Sequence, residues 1–181
     1  MILTGSAVRQ AVERGDITID PFDPGLLNPN SYNYRLGPTL KVAVGGPADP
    51  RQETELATIR IPVGGYELQP GTVYLGVTAE QIGSARYVAT LIGRSSLGRL
   101  GCFLQISADL QQLGSLHQWT LEITVVQPLT VYPGMRVGQV SFWDTVGASM
   151  PYRGHYGSLS DPTACSPRAL AGVPLREESA A

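Results

Sequence analysis

Short segments with a hydrophobic period of two residues constrain the fold of this chain more than any other feature. Between residues 32 and 143, runs rich in β-branched and aromatic residues recur, and each is bounded by Gly, Pro, Asp or Asn. This pattern is typical of β-strands that bury one face. The predicted strands are Tyr32–Leu36, Thr39–Val44, Ile59–Val63, Thr72–Val77, Tyr87–Ile92, Cys102–Ser107, Trp119–Val126 and Val137–Trp143.

One helix is predicted before these strands. Thr4–Arg14 carries apolar residues at Val8, Ala11 and Val12, and Gly15 follows as a C-terminal cap. The chain also has 21 glycines and 14 prolines, so turns are frequent. Many short strands and a single short helix predict an all-β, or mostly β, sandwich or barrel.

The 181 residues fit one domain with a buried core of its own. We place this domain at residues 1–157 and a tail at residues 158–181, where Ser, Pro, Ala and charged residues dominate. Such a tail is either a frayed terminus or a lid that closes over a ligand. Composition does not separate these two interpretations.

Charge and hydrophobicity exclude several classes of partner. The net charge is −2 and no run of Lys or Arg occurs, so a nucleic-acid polymer is not an expected ligand. No apolar stretch approaches the roughly 20 residues of a membrane span, and the first residues lack the pattern of a signal peptide. We therefore expect a cytoplasmic protein that binds no membrane, and whose anionic ligand is met by a few placed arginines.

A protein-bound zinc ion is not expected from the sequence. The H-x-E and P-C-x-x-C signature of zinc deaminases is absent, and His117 and His155 do not lie at ligand spacing from Cys102 or Cys165. With only two cysteines, both are interpreted as unpaired thiols. His117 is interpreted as a surface or interface residue rather than a catalytic one.

The most unusual segment is Gly93–Gly101, with the sequence GRSSLGRLG. It connects two predicted strands and combines two arginines, two hydroxyls and several glycines. Backbone amides, hydroxyl donors and guanidinium groups all suit phosphate oxygens. The segment is therefore either an anion-binding loop or a polar connection whose arginines are solvated or paired at a subunit interface.

A carboxylate inside a predicted strand is the second unusual feature. Glu122 lies in the apolar segment WTLEITV, and its neighbours at even spacing are Thr120 and Thr124. Glu122 therefore either lies on a solvated face of the strand or lines a pocket as a general base. The residues alone leave both alternatives open.

These segments resemble the dCTP deaminase family, within the superfamily of dCTP deaminases and dUTPases. The loop is similar to the motif GRSSLxRxG, and the strand around Glu122 is similar to the strand that carries the family's catalytic glutamate. The resemblance extends in order to about residue 156. The segments that carry it are Ile19–Pro24, Asn30–Gly37, Gly93–Gly101, Trp119–Thr124 and Pro133–Gln139.

The resemblance implies a dUTPase-like fold, a β-clip or distorted barrel with a short N-terminal helix. It also implies a homotrimer whose active sites lie between subunits. The implied reaction is zinc-independent hydrolysis of the 4-amino group of dCTP to give dUTP and ammonia. The implied partner is a pyrimidine nucleotide, with Mg²⁺ bound through the nucleotide phosphates.

The resemblance also implies roles for individual residues. Glu122 would be the general base that activates water and moves the proton to N3 and the leaving amine. Ser95 and Arg99 would hold the water and stabilise charge at the ring, and the backbone of Ala108 would complete the water site. The implied phosphate contacts are Arg94, Ser95, Ser96 and Arg99.

Two departures from the family pattern affect these expectations. Gln112 stands where the family usually has an acidic residue, and an amide cannot act as the base that a diphosphatase needs. In the C-terminal motif, His155 replaces a lysine that would meet the triphosphate, and Leu159 replaces a glutamine. A histidine holds a polyphosphate less well than an ammonium group at pH 7. Tyr152 and Tyr156 are retained as lid contacts.

Three functions are consistent with the sequence. A deaminase acting on dCTP or a related cytosine nucleotide is favoured, because every position next to the reacting carbon is kept. A catalytically silent nucleotide-binding homologue is the alternative that the altered tail suggests. A dUTP diphosphatase or bifunctional enzyme is the third, and Gln112 argues against it.

Overall fold

The structure, a computed structural model, describes residues 1–105, 107–148 and 150–167, with residues 155 and 158 described by their backbone alone. Within these ranges no helix is long and apolar enough to span a membrane. Short 3-10 turns occur at Pro24–Leu26 and His155–Ser158. The other elements are α1 (Gly5–Glu13), β1 (Thr18–Asp20), β2 (Tyr32–Arg35), β3 (Thr39–Ala43), β4 (Leu56–Arg60), β5 (Tyr66–Leu68), β6 (Tyr74–Gly83), β7 (Tyr87–Gly93), α2 (Ser95–Gly98), β8 (Cys102–Leu104), β9 (Leu116–Val125), β10 (Leu129–Val131) and β11 (Arg136–Asp144).

The helix α1 forms where the sequence predicts it. Val8 and Ala11 are fully buried, so the apolar stripe of the helix packs on the core. Arg14 caps the C-terminus, and Gly15 adopts a positive φ of 77°, which favours glycine.

An antiparallel sheet of six strands forms the largest layer. Its strand order is β4-β3-β6-β9-β8, and β1 pairs with the end of β6. The two longest strands, β6 and β9, lie side by side with Leu75 opposite Glu122. The strand that carries the predicted catalytic glutamate is therefore held on both sides, by β6 and by β8.

Two smaller sheets complete the fold. β2, β11 and β7 form a three-stranded antiparallel sheet, and β5 pairs with β10. Apolar and aromatic side chains fill the core, as the period-two pattern predicts. Fully buried examples are Tyr32, Tyr34, Leu36, Leu40, Leu91, Leu121 and Phe142.

A bulge in β6 is fixed by buried polar groups. The pairing of β6 with β9 shifts register between Val77 and Gln81. Glu80 has no exposed surface and accepts hydrogen bonds from the backbone N–H of Arg35 at 2.9 Å and from its Nε at 2.6 Å. Thr78 Oγ1 donates to the Glu80 carbonyl at 2.7 Å. Because a buried carboxylate needs such partners, the bulge is held in one arrangement.

The mostly β prediction is confirmed, whereas the homotrimer stays a prediction. β1, β5 and β10 were not predicted as strands, because three residues are too few to show a period. The strand predicted at Ile59–Val63 is observed at Leu56–Arg60, where Ala43 pairs with Leu56 and a turn at Pro62 ends the run. The strand predicted at Cys102–Ser107 ends at Leu104, because Gln105 has a positive φ of 52°.

Candidate active site

A cavity of about 580 Å³ lies beside β9. Its walls come from β6 and β9, from the loop between β8 and β9, and from the chain after β11. Among the predicted site residues, those that border the cavity are Glu122, Ala108, Gln112, Tyr152 and Tyr156. The structure therefore brings together the predicted base, its predicted water-site loop and the chain that follows β11.

Glu122 borders this cavity because of the strand alternation in β9. Leu121 and Ile123 are buried in the core, so Glu122 projects from the opposite face of the sheet. The side chain is half-buried rather than fully solvated. Of the two alternatives that the sequence leaves open, the structure shows the one in which Glu122 lines a pocket.

Gln105, which the sequence analysis missed, connects Glu122 to the neighbouring loop. Its Oε1 accepts a hydrogen bond from the Glu122 backbone N–H at 2.8 Å, and its Nε2 donates to the Ala108 carbonyl at 3.0 Å. The side chain is buried and borders the cavity. A glutamine directly after the apolar run Cys102–Leu104 is the sequence signal that marks it.

The loop that carries Ala108 is attached to β7. The Leu91 N–H donates to the Asp109 carbonyl at 2.8 Å, and the Gln111 N–H donates to the Ala89 carbonyl at 2.8 Å. Ala108 itself is exposed toward the cavity side. Its position is thus set by backbone pairing on one side and by the Gln105 amide on the other.

The next residues of this loop form a tight turn. Gln112 is exposed at the cavity wall, and its carbonyl accepts from the Ser115 hydroxyl at 2.7 Å. Gln111, which was also not among the predicted site residues, is buried and donates from Nε2 to the carbonyls of Ile82 and Ser115. Gln112, where the sequence departs from the family pattern, therefore lies in the cavity wall.

His117 also borders the cavity. Its ring stacks on Trp119 with a centroid separation of 5.7 Å, and its Nδ1 lies 2.9 Å from the Gln118 carbonyl. The side chain is half-buried. His117 therefore extends the aromatic wall of the cavity rather than standing free on the surface.

The two tyrosines between β11 and the tail lie against the cavity. Tyr152 and Tyr156 are both half-buried and border it. The Tyr152 N–H donates to the Leu113 carbonyl at 2.7 Å, and the Tyr156 hydroxyl accepts from the Ser166 N–H at 2.9 Å. The predicted contact of the His155 side chain with phosphate lies outside the described residues.

The chain beyond these tyrosines packs on the strand face that carries Glu122. The Thr163 N–H donates to Thr120 Oγ1 at 3.2 Å, and Asp161 forms an ion pair with Lys41 of β3. Leu159 borders the cavity. The described part of the tail thus covers the cavity, whereas residues 168–181 lie outside the described ranges.

The arginine loop lies apart from this cavity. The predicted contacts Arg94, Ser95, Ser96 and Arg99 do not border it, and all but Arg94 are exposed. Buried Leu97 anchors the loop, whose short helix α2 packs beside β8. In the described part of the chain, neither arginine forms an ion pair. The predicted site is therefore divided into two separate groups.

The cavity and the loop differ in charge. Glu122 is the one carboxylate among the described residues of the cavity wall, and this part of the wall has no Lys or Arg. A nucleotide phosphate would therefore find no permanent cation in the described wall. The loop has two such cations.

The two cysteines and the acidic and histidine side chains give no sign of a thiol or metal centre within the ranges that the structure describes. Both cysteines are free, with Cys102 buried and Cys165 exposed. Burial raises the pKa of the Cys102 thiol to about 11, so this thiol is inert at neutral pH. No group of three His, Cys, Asp or Glu side chains that could hold a metal ion occurs within the ranges that the structure describes.

Known proteins with similar sequences share one description. The family model described as dCTP deaminase-like matches residues 2–145. A "dCTP deaminase, dUMP-forming" of Leptospira biflexa is 42% identical over 153 residues, which are 84% of this chain and 87% of the relative. A "dCTP deaminase" of Rhodopirellula baltica is 42% identical over 149 residues, covering 82% of this chain and 75% of the relative.

A solved structure is also similar. The crystal structure of 2'-deoxycytidine 5'-triphosphate deaminase from Agrobacterium tumefaciens matches with a TM-score of 0.62 and 25% sequence identity. The match covers 78% of this chain and 47% of that chain, so the matched part is about half of the solved chain. The fold and the sequence therefore point to the same family.

Proposed function

This chain belongs to the dCTP deaminase-like family, and on that premise we propose that it deaminates dCTP to dUTP and ammonia without zinc, with Glu122 as the general base. The observation that carries this proposal is the position of Glu122. Its half-buried side chain borders a cavity of about 580 Å³ that also includes Ala108. A carboxylate beside a backbone carbonyl can hold and activate one water molecule.

The proposed reaction begins with that water. Glu122 takes a proton from the water, and the oxygen attacks C4 of the cytosine ring to form a C–O bond. The proton passes to N3, giving a tetrahedral intermediate whose charge the preorganised donors stabilise. Glu122 then carries the proton of the new C4 hydroxyl to the exocyclic nitrogen. The C–N bond breaks as the C4 carbonyl forms, and ammonia leaves. One water is consumed for each ammonia released.

The loop Arg94–Arg99 is proposed to complete the cavity of a neighbouring subunit in a homotrimer. The described wall has a carboxylate and no Lys or Arg, whereas the loop has exposed arginines and hydroxyls. In this proposal Ser95 and Arg99 act at the ring. Arg94, Ser95 and Ser96 contact the phosphates, where charge-assisted hydrogen bonds are strong.

Mg²⁺ fits this proposal as an ion carried by the nucleotide. With Glu122 as the one carboxylate in the described wall, the protein offers too few hard oxygen ligands to hold Mg²⁺ itself. The phosphates would supply the ligands, and the bound ion would offset their charge. Removal of the ion should therefore weaken nucleotide binding rather than unfold the protein.

The tail is proposed to act as a lid. The cavity is already bordered by Tyr152, Tyr156 and Leu159. Thr163 is hydrogen-bonded to Thr120, on the strand that carries Glu122. With His155 in place of a lysine, the lid would hold the terminal phosphates less tightly than in the family pattern. The cytoplasmic location expected from the sequence also stays a proposal.

A second candidate for the product is dUMP, because relatives at 42% identity are named dUMP-forming. Formation of dUMP also requires hydrolysis of the triphosphate. Gln112 lies in the cavity wall where the family usually has an acidic residue, and a neutral amide cannot accept the proton of an attacking water. We therefore propose dUTP as the product and dUMP as the alternative.

A product assay separates these possibilities. Purified protein with Mg²⁺ is given dCTP, dCDP, dCMP, CTP or dUTP, and ammonia and pyrophosphate are measured separately. Ammonia without pyrophosphate supports the proposed reaction. Both products from dCTP would show the dUMP-forming alternative, and bound nucleotide with neither product would show a catalytically silent homologue.

The role of Glu122 has its own test. Glu122→Gln should retain nucleotide binding, because the shape is kept, and should lose ammonia release by about 10²- to 10⁴-fold, the usual contribution of general-base catalysis. Glu53→Gln, in an exposed loop, is the matched control and should keep wild-type activity. Wild-type ammonia release by Glu122→Gln would refute the proposed base.

A further inference from the structure

Gln105 adopts a backbone conformation that is unfavourable for its residue type. Its φ is 52°, and it is the one non-glycine with positive φ among the described residues. Its side chain is 8% exposed, although glutamine is usually found on protein surfaces. Strained conformations of this kind persist where the surroundings hold them in place, and they often occur at functional sites.

Hydrogen bonds to the side-chain amide explain what holds Gln105. β8 pairs with β9 up to Leu104 opposite Ile123, so Gln105 and Glu122 would be the next pair of the ladder. The Gln105 N–H still lies 3.4 Å from the Glu122 carbonyl. Gln105 Oε1, instead of a backbone carbonyl, accepts the Glu122 N–H at 2.8 Å. The side chain thus continues the ladder after the backbone has turned away.

The other end of the same amide reaches Ala108. Gln105 Nε2 donates to the Ala108 carbonyl at 3.0 Å. A carbonyl oxygen has two lone pairs, so this bond leaves one lone pair for another donor. One planar amide therefore fixes the Ala108 carbonyl relative to the backbone of Glu122.

We propose that Gln105 is a positioning residue for deamination, which sets the Ala108 carbonyl and the Glu122 carboxylate at the separation that one attacking water requires. This inference rests on the proposed function. Gln105 acts through Ala108 and Glu122, so its loss should slow the chemical step more than it weakens nucleotide binding. A residue that only ends the β8–β9 ladder would alter stability and leave the catalytic rate of the folded protein unchanged.

Two substitutions of similar size remove one or both of these hydrogen bonds. Gln105→Glu keeps an acceptor for the Glu122 N–H and replaces the donor to Ala108 with an oxygen. Gln105→Met removes both bonds without adding charge. For each, kcat with dCTP should fall about 100-fold with little change in KM, because small displacements of reacting groups cost about that factor.

Gln118→Glu is the matched control. Gln118 lies on the same strand as Glu122, and its Nε2 donates to the carbonyls of Thr78 and Ala79 at 3.0 and 3.3 Å. It does not border the cavity. This variant should lose stability by an amount comparable to Gln105→Glu and keep the wild-type kcat below its unfolding temperature.

The outcomes are distinguishable. Wild-type kcat in folded Gln105→Glu and Gln105→Met, with wild-type protein releasing ammonia, would overturn the positioning role and leave the proposed function intact. An equal fall of kcat in Gln118→Glu would also overturn it. Wild-type protein without ammonia release would refute the proposed function and this inference with it. If the first two variants do not fold, Gln105→Asn, which tolerates positive φ but is too short for both bonds, is measured in their place.

Discussion

Mixing two inactive variants would test whether Glu122 and the arginine loop act in different subunits. Glu122→Gln lacks the base in the cavity, and Arg99→Ala lacks a cation of the loop. If each site combines the cavity of one chain with the loop of the next, every site of either pure variant has one defective half. Both pure variants should therefore release almost no ammonia.

The expected recovery follows from the geometry. Arg99 does not border the Glu122 cavity of its own chain. In a cyclic trimer, a site is intact when an Arg99→Ala chain supplies the cavity and a Glu122→Gln chain supplies the loop. A trimer that contains both variants has two chains of one kind and one of the other, so one of its three sites is intact. Ammonia release by these mixed trimers should return to about a third of the wild-type value per chain.

The assay requires trimers that contain both variants. The two chains carry different tags, are co-expressed, and are purified through both tags before light scattering confirms a trimer. A chain with both substitutions, mixed with Glu122→Gln, is the control and should remain inactive. No recovery in demonstrably mixed trimers would show that each site lies within one chain, and an active monomer would refute the shared site directly.

Two further predictions concern the stability and reactivity of the protein. Gly138→Ala should destabilise the fold by about 3 kcal/mol, because a Cβ there overlaps the buried Tyr34 ring and hydroxyl; denaturant unfolding measures this, and a change below about 0.5 kcal/mol would contradict the packing. Iodoacetamide at pH 8 should modify exposed Cys165 and leave Cys102, with its pKa of about 11, unmodified in the native protein. Two equivalents of label before unfolding would contradict the burial of Cys102.

The fold was predictable because many of its strands bury one face and leave the other more exposed. Period-two segments such as Tyr87–Ile92 identify strands without any knowledge of their partners, and the observed β7 differs by one residue. The end of β8 was not predictable in the same way. It depends on Gln105, whose side-chain amide replaces a backbone bond, and no periodicity records such a replacement.

The candidate site was predictable only in part. The alternation of Thr120, Glu122 and Thr124 correctly indicates a face outside the core. Whether that face is solvated depends on the tail, and residues such as Thr163 cover it through contacts between distant parts of the chain. Tail segments of this kind have no periodicity, so the sequence left both interpretations of Glu122 open.

The separation of the carboxylate in the cavity wall from the arginines of the loop is the strongest physical reason to expect a homotrimer. The described cavity wall combines a carboxylate with apolar and aromatic groups, and a polyphosphate brought beside it would be repelled rather than bound. Arg94 and Arg99 form no ion pair among the described residues, and Arg99 is exposed. Each group lacks the charge that the other has. The proposed binding and deamination of an anionic nucleotide would therefore require the two groups to meet, and in the proposed homotrimer a neighbouring copy of the chain would supply the loop.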